Sequence, residues 1–241
     1  MTITSAHNDT LKEIRRLARR PAREKAGRFV AEGEDLVAEA RAQGWEPVAL
    51  LAAAGSGLPG TEVEPELLDA VSSLGSGTRT IGVYPTRWGV PTGPLCVYLH
   101  GVGDPGNVGT VLRSALAFGA ASVALGPGCA DPFGAKAVRA SMGAIFAVPV
   151  ARVDGIQGLP GETIALAARR GEPLAGPLTG DATLLVGAER EGLPPEILAA
   201  ADRAAHIPIA SESLNAAMAA TVALYELTRA DGPSTHRMPS P

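Results

Sequence analysis

The sequence predicts an α/β protein: a mostly parallel sheet covered by helices in the C-terminal part, preceded by a smaller α/β unit. Three observations carry this reading. After residue 94, short apolar runs at 95–99, 122–125, 145–150, 163–168, 183–186 and 204–209 alternate with helical patterns, as strands buried on both faces do. Apolar side chains make up 46% of the chain but aromatics only 4%, so Ala, Val and Leu must fill the core through close helix–sheet contacts. The stretch from Pro85 to Pro94, PTRWGVPTGP, holds three prolines and two glycines and reads as a linker.

Before that linker, residues 9–28 read as a basic helix interrupted near Pro21. A second helix spans 34–43 and ends at Gly44. Strands at 47–51 and 78–84 flank a helix at 64–74. Behind it, helices are expected at 108–118, 133–142 and 214–228. This divides the chain into a domain at 1–86, a second at 94–230 and a disordered tail at 231–241.

The net charge of −4 argues against a uniformly basic nucleic-acid binder, but the charge is uneven. Within 11–28, eight basic side chains, among them Arg15, Arg16, Arg19 and Arg20, oppose Glu13 and Glu24; the stretch carries +6 and leaves −10 elsewhere. A local patch of this kind can grip phosphate while the rest of the surface repels it. Cys96 and Cys129 fit no metal spacing and read as reduced thiols, so no metal is expected. No apolar leader or membrane-length apolar run is visible, which points to a cytoplasmic protein without membrane partners.

Ligands of open α/β sheets bind beyond the carboxyl ends of the strands. Three motifs stand there. The first, HGVGDPGNVGTVLR, ends a strand and opens a helix that Asn107 is placed to cap; Val108, Val111, Leu112, Ala115 and Leu116 form its apolar face and leave Arg113 outside. Gly101, Gly103 and Gly106 also match dinucleotide spacing, but no acid ends the next strand, which weakens a nicotinamide reading. The second, LVGAEREGLP, sets Glu189 between Gly187 and Gly192 after a buried strand. The third, IPIASESLN, leads into a helix with Ser213 as natural N-cap. Leu214, Met218, Val222 and Tyr225 make one stripe of that helix, and small residues at 216–220 permit close approach.

Taken together, the ordered motifs N-x-G-x-x-x-R, G-x-E-x-x-G and I-P…S-L-N resemble the SpoU/TrmH family of RNA ribose 2′-O-methyltransferases. The likeness covers roughly 95–228. The stretch KAVRASMGAIF, with Lys136 and Arg139, and the N-terminal LKEIRRLARRPAREKAGRFVAEG resemble it too. The resemblance implies a parallel sheet with a deep trefoil knot of the SPOUT type, after an L30e-like RNA-binding domain. It implies S-adenosylmethionine as cofactor, a homodimer through the C-terminal domain, and RNA, most readily ribosomal RNA, as substrate. It assigns Arg113, Asn107, Glu189, Ser213 and Asn215 to catalysis. It assigns Val186, Gly187, Ala188, Ile207 and Leu214 to the cofactor, and Arg15, Arg16, Arg19, Arg20, Lys136 and Arg139 to RNA. The loop between Pro208 and Ser213 is about two residues shorter than the family's and lacks its glycine, which leaves a catalytically weakened RNA-binding paralogue as an alternative; since the family serves both ribosomal RNA and tRNA, a tRNA enzyme is another.

Overall fold

The computed structural model describes residues 2–211 and 213–229; the tail expected to be disordered lies outside them. In chain order the elements are α1 (Asp9–Leu17), α2 (Arg20–Ala26), β1 (Arg28–Glu32), α3 (Glu34–Ala42), β2 (Ala49–Ala53), β3 (Thr61–Val63), α4 (Pro65–Asp69) and β4 (Thr80–Pro85). There follow β5 (Leu95–Leu99), α5 (Pro105–Ala117), β6 (Ser122–Leu125), α6 (Ala135–Ala140), α7 (Ala144–Ala147), β7 (Val150–Arg152), β8 (Glu162–Leu166) and β9 (Glu172–Pro173). The last are β10 (Ala182–Val186), α8 (Pro195–Ala200), β11 (Arg203–His206) and α9 (Ala216–Thr228).

Two sheets result. The first has the order β1-β4-β2-β3, with only β2 and β3 parallel. The second has seven strands in the order β7-β6-β5-β10-β8-β11-β9, all parallel. Side chains alternate across it. Val97, Leu99, Leu184 and Val186 face α5 and α9, while Cys96, Tyr98 and Leu185 face Leu193 and Ile197 at α8. The chain runs from β5 outward to β6 and β7, then fills the other side. The topological switch therefore falls between β5 and β10, the place where open α/β sheets bind ligands beyond the strand ends.

Several sequence expectations are corrected. The basic stretch breaks near Pro21 into two helices, as expected, but it is not helical to residue 28: Gly27 in the left-handed region ends α2 and releases β1, a strand the charge pattern concealed. Residues 145–150 are not one strand: Gly143, also left-handed, starts α7, and pairing with β6 begins at Val150, after Pro149. The helix expected over 64–74 closes at Asp69.

The stripe on α9 points outward. Met218, Val222 and Tyr225 are exposed, and Leu116 of α5 joins them; the buried face of α9 is Ala216, Ala217, Ala220, Ala223, Leu224 and Leu227. Small residues win the inner face because α5 lies close, with the Ser114 and Thr221 hydroxyls 2.6 Å apart.

Six of the nine aromatics gather between the two sheets. Phe29 packs on Trp45, Tyr84, Phe133 and Phe146, and Trp88 meets Phe133 edge-on. The Trp45 indole N–H donates to the Phe146 carbonyl at 2.8 Å. Arg23, counted in the basic patch, is buried here: it pairs with Asp131 at 2.6 Å and donates to the Leu17 and Ala18 carbonyls.

Candidate active site at the sheet switch point

Asp104, not Asn107, caps α5. Its carboxylate accepts from the Asn107 amide at 3.0 Å, and Pro105 takes the first helical position, where a missing N–H costs nothing. The Asp-Pro pair is itself a helix-start signal in the sequence. Capping by Asp104 frees the Asn107 side chain. Its amide nitrogen donates to Glu189 Oε1, and its oxygen accepts from Asn215 Nδ2 at 3.1 Å. Asn215 in turn replaces the expected Ser213 as cap of α9, accepting from the amides of Ala217 and Met218 at 3.0 and 3.3 Å. Ser213 stays exposed and only lends its carbonyl to the Ser211 hydroxyl. One asparagine side chain thus ties together loops 82 and 108 residues apart in sequence.

Arg113 does not join that cluster. It lies on the outward side of α5, exposed, and among the described residues its guanidinium has no hydrogen-bond or ion-pair partner. The neighbouring outward surface is the apolar one made by Leu116 and the α9 stripe.

Val186 ends β10 buried, and Gly187 follows. A Cβ at Gly187 would lie 2.1 Å from the carbonyl carbon of Gly192, so only glycine lets the 187–192 loop fold onto itself; the Gly192 amide closes it on the Ala188 carbonyl at 2.9 Å. Across the sheet, Ile207 lines a cavity of about 520 Å³ with Ala168, Arg169, His206, Pro208 and Ile209. That volume is in the range of small-molecule sites, and its lining mixes apolar residues with Arg169 and His206. Leu214 is half-buried on the loop beside it. These residues fit a nucleoside-bearing donor: apolar contact for a flat base and Arg169 for a carboxylate.

Lys136 pairs with Asp104 at 2.6 Å, and this contact, with the amides of Asn107 and Gly106, holds the Asp104 carboxyl below its ordinary value. Arg139 is exposed on α6. In the basic patch Arg15, Arg16, Arg19 and Arg20 are all exposed. Arg15 donates to the Ala6 carbonyl, Arg16 to that of Lys12, and Arg20 pairs with Glu24 at 3.0 Å.

Comparison with known proteins agrees with this architecture. A family described as the SpoU rRNA Methylase family matches residues 94–225, and one described as the MRM3-like substrate binding domain matches 8–81. A 23S rRNA (guanosine(2553)-2′-O)-methyltransferase of Bacillus subtilis is 31% identical, the match covering 93% of this chain and 98% of the relative. A 23S rRNA (uridine(2479)-2′-O)-methyltransferase of Streptomyces viridochromogenes is 38% identical over 52% of this chain and 49% of its own. The AdoMet-bound rRNA methyltransferase of Sinorhizobium meliloti superposes with a TM-score of 0.84 at 29% identity, covering 94% of this chain and 96% of that one. The SpoU methyltransferase AviRb of Streptomyces viridochromogenes, in complex with AdoMet, gives 0.79 at 27% identity, covering 91% and 97%. With more than half its length matched and a sheet whose loops meet as the motifs require, this chain belongs to the SpoU rRNA methylase family.

Proposed function

We propose that the protein transfers the methyl group of S-adenosylmethionine to a ribose 2′-hydroxyl of ribosomal RNA. The observation that carries this is the meeting of Asn107, Glu189 and Asn215 at the switch point, with an unengaged guanidinium, Arg113, on the same helix as Asn107. Val186, Gly187, Ala188, Ile207 and Leu214 are the residues that would hold the donor, which when bound supplies a methyl group on a sulfonium, already a good electrophile.

The protein's own part is positioning and charge. A guanidinium is a cation and not a base; Arg113 grips the phosphate beside the target ribose and stabilises charge growing on the 2′-oxygen. A phosphate oxygen of the RNA takes the proton. The Asn107 side chain, assigned to catalysis by the resemblance, is already engaged by Glu189 and Asn215. It acts instead as a positioning residue that locks three loops, so the 2′-oxygen and methyl group approach in line. Ser213, exposed on its loop, is the polar group left to meet the nucleotide.

Three structural readings accompany this. The segment between β9 and β10 crosses the end of α9, with the Leu178 amide on the Leu227 carbonyl and the Gly176 amide on Glu226, while α5 lies on the helix's other side. That arrangement supports a C-terminal helix threaded through a loop, the trefoil knot that ordinary topology rules disfavour. The outward stripe of Leu116, Met218, Val222 and Tyr225 supports a homodimer that brings Arg113 to the subunit boundary. Residues 1–86 form a separate RNA-binding domain whose basic face is Arg15, Arg16, Arg19 and Arg20, aided by Arg139; the relatives' names favour ribosomal over transfer RNA.

The deciding experiment maps ribose 2′-O-methylation in ribosomal RNA from cells with and without the protein. One site should vanish in its absence and return when the purified protein and donor are added to that RNA. An unchanged map, with no transfer in vitro, would refute the assignment. Calorimetry with the donor excludes the weakened paralogue if it binds.

A further inference from the structure

We propose that the cavity between α2 and the carboxyl ends of β6 and β7 seats one unpaired base of the RNA substrate, stacked on the layer made by Arg152 and Trp88. This rests on the RNA methyltransferase reading above and adds a contact that the reading does not contain.

The cavity measures about 240 Å³ and is lined by Arg23, Glu24, Trp88, Asp131, Phe133 and Arg152, with Thr86 at its rim. It is smaller than the roughly 300–1,000 Å³ of a whole-ligand pocket, which suits a single planar ring system. Its floor is the Arg23–Asp131 pair, in which both carboxylate oxygens are engaged, by Arg23 and by the Phe133 amide.

The aromatics between the two sheets are buried with one exception. Phe29, Trp45, Tyr84, Phe133 and Phe146 are 7% exposed or less, whereas Trp88 is 40% exposed. Phe133 braces the Trp88 ring edge-on at 5.0 Å, and the Arg152 guanidinium lies over that ring, 4.4 Å from its centroid. Glu24 holds Arg152 in place at 3.4 Å, yet half of the arginine side chain stays exposed. Splayed RNA bases stack on aromatic rings and guanidinium planes, and here the two are already layered, one against the other.

The position fits a strand on its way to the active site. On one side stands α2, with Arg20 and Lys25. On the other, the loop carrying Asp131 is hydrogen-bonded to the loop that leads to Asn107, through the Ala130 amide on the Val102 carbonyl and the Gly101 amide on the Pro127 carbonyl, each at 2.9 Å.

Tryptophan emission of the full chain tests this, with a mixed-sequence 12-nucleotide single-stranded RNA and the matching duplex as probes. The single strand should quench emission and the duplex should not. Trp88→Leu should abolish the quench, leaving buried Trp45 unaffected, and weaken single-strand binding about tenfold. Trp88→Phe should restore most of the affinity. Arg152→Lys, which keeps charge but loses the plane, should cost several-fold without changing the salt slope. A quench that survives Trp88→Leu, or unchanged affinity in both Trp88→Leu and Arg152→Lys, overturns the proposal. Wild-type protein that methylates ribosomal RNA while failing these tests loses this inference alone; protein that fails to bind the donor loses the functional reading, and the emission result still decides this one.

Discussion

At the residue scale, the site separates Asn107, whose side chain bonds two other loops, from Arg113, whose guanidinium is proposed to meet RNA charge. Arg113 is exposed and unengaged among the described residues, which suits the proposed role of gripping phosphate. Arg113→Ala is expected to lower methyl transfer by about 10²–10³-fold, the usual loss when one preorganised donor to a developing oxyanion is removed. Donor affinity should stay near wild type. Turnover within a few-fold of wild type in a radiolabelled methyl assay would remove Arg113 from this role. Asp104 acts one step back, by fixing where α5 begins and so where Asn107 points. Its carboxyl is held low by the Lys136 hydrogen bond first, then by the Asn107 and Gly106 amides. A depressed value in the folded state stabilises above the unfolded carboxyl's pKa of about 3.9, and that stabilisation is lost as pH falls through the lower folded value. Asp104→Ala should therefore cost about 1 kcal/mol at pH 7, and the gap should shrink in urea titrations as pH is lowered towards 3. A gap independent of pH would mean that the charge of Asp104 contributes nothing.

At the element scale, α5 is held by a close approach that tolerates no side chain. A Cβ at Gly109 would stand 2.3 Å from the Ala137 carbonyl and 2.7 Å from the Ala140 methyl of α6. Gly109→Ala should destabilise the fold by about 1–3 kcal/mol, the range for overpacking, and move the urea midpoint down. An unmoved midpoint would show that α6 gives way freely. This glycine sits inside the N-x-G-x-x-x-R motif, and the structure gives it a packing reason: α5 and α6 lie side by side where Asn107 and Lys136 reach their partners. Helix α9 teaches the converse. Its larger apolar residues were legible as a stripe, but periodicity cannot say which stripe faces inward. The Ala-rich face packs inside because α5 leaves room only for small side chains.

At the scale of the whole molecule, two surfaces remain for partners. The outward stripe of Leu116, Met218, Val222 and Tyr225 is apolar enough to demand cover. Val222→Asp should convert a dimer to monomers in light scattering and depress turnover with it; wild-type protein running as a monomer at micromolar concentration would end the dimer reading. The basic face of α1 and α2 is the second surface. Replacing Arg15, Arg16, Arg19 and Arg20 with Ala should weaken RNA binding and flatten its logarithmic salt dependence by up to about 3. An unaltered slope would make these arginines a solvated face. The other basic residues of that stretch warn against counting charge alone: Arg23 is buried on Asp131 and Arg28 pairs with Glu13.

The sequence by itself determined the class of fold, the strands at 95–99 and 122–125 with their helices, and the order of three motifs that marks the family, because buried strands and strand-end loops write local patterns. It also named Asn107, Glu189 and Asn215, though not that they touch. What only the tertiary structure decided is long-range: that Asn107 bridges loops 82 and 108 residues away, that Asp104 and Asn215 are the caps, that Arg23 is buried, and that Trp88 keeps a face to solvent. The physical reason is the same in each case. Propensity and periodicity act over a turn or two of chain, whereas the partner that claims a polar side chain, or the neighbour that covers an apolar one, comes from segments that the sequence alone cannot place beside it.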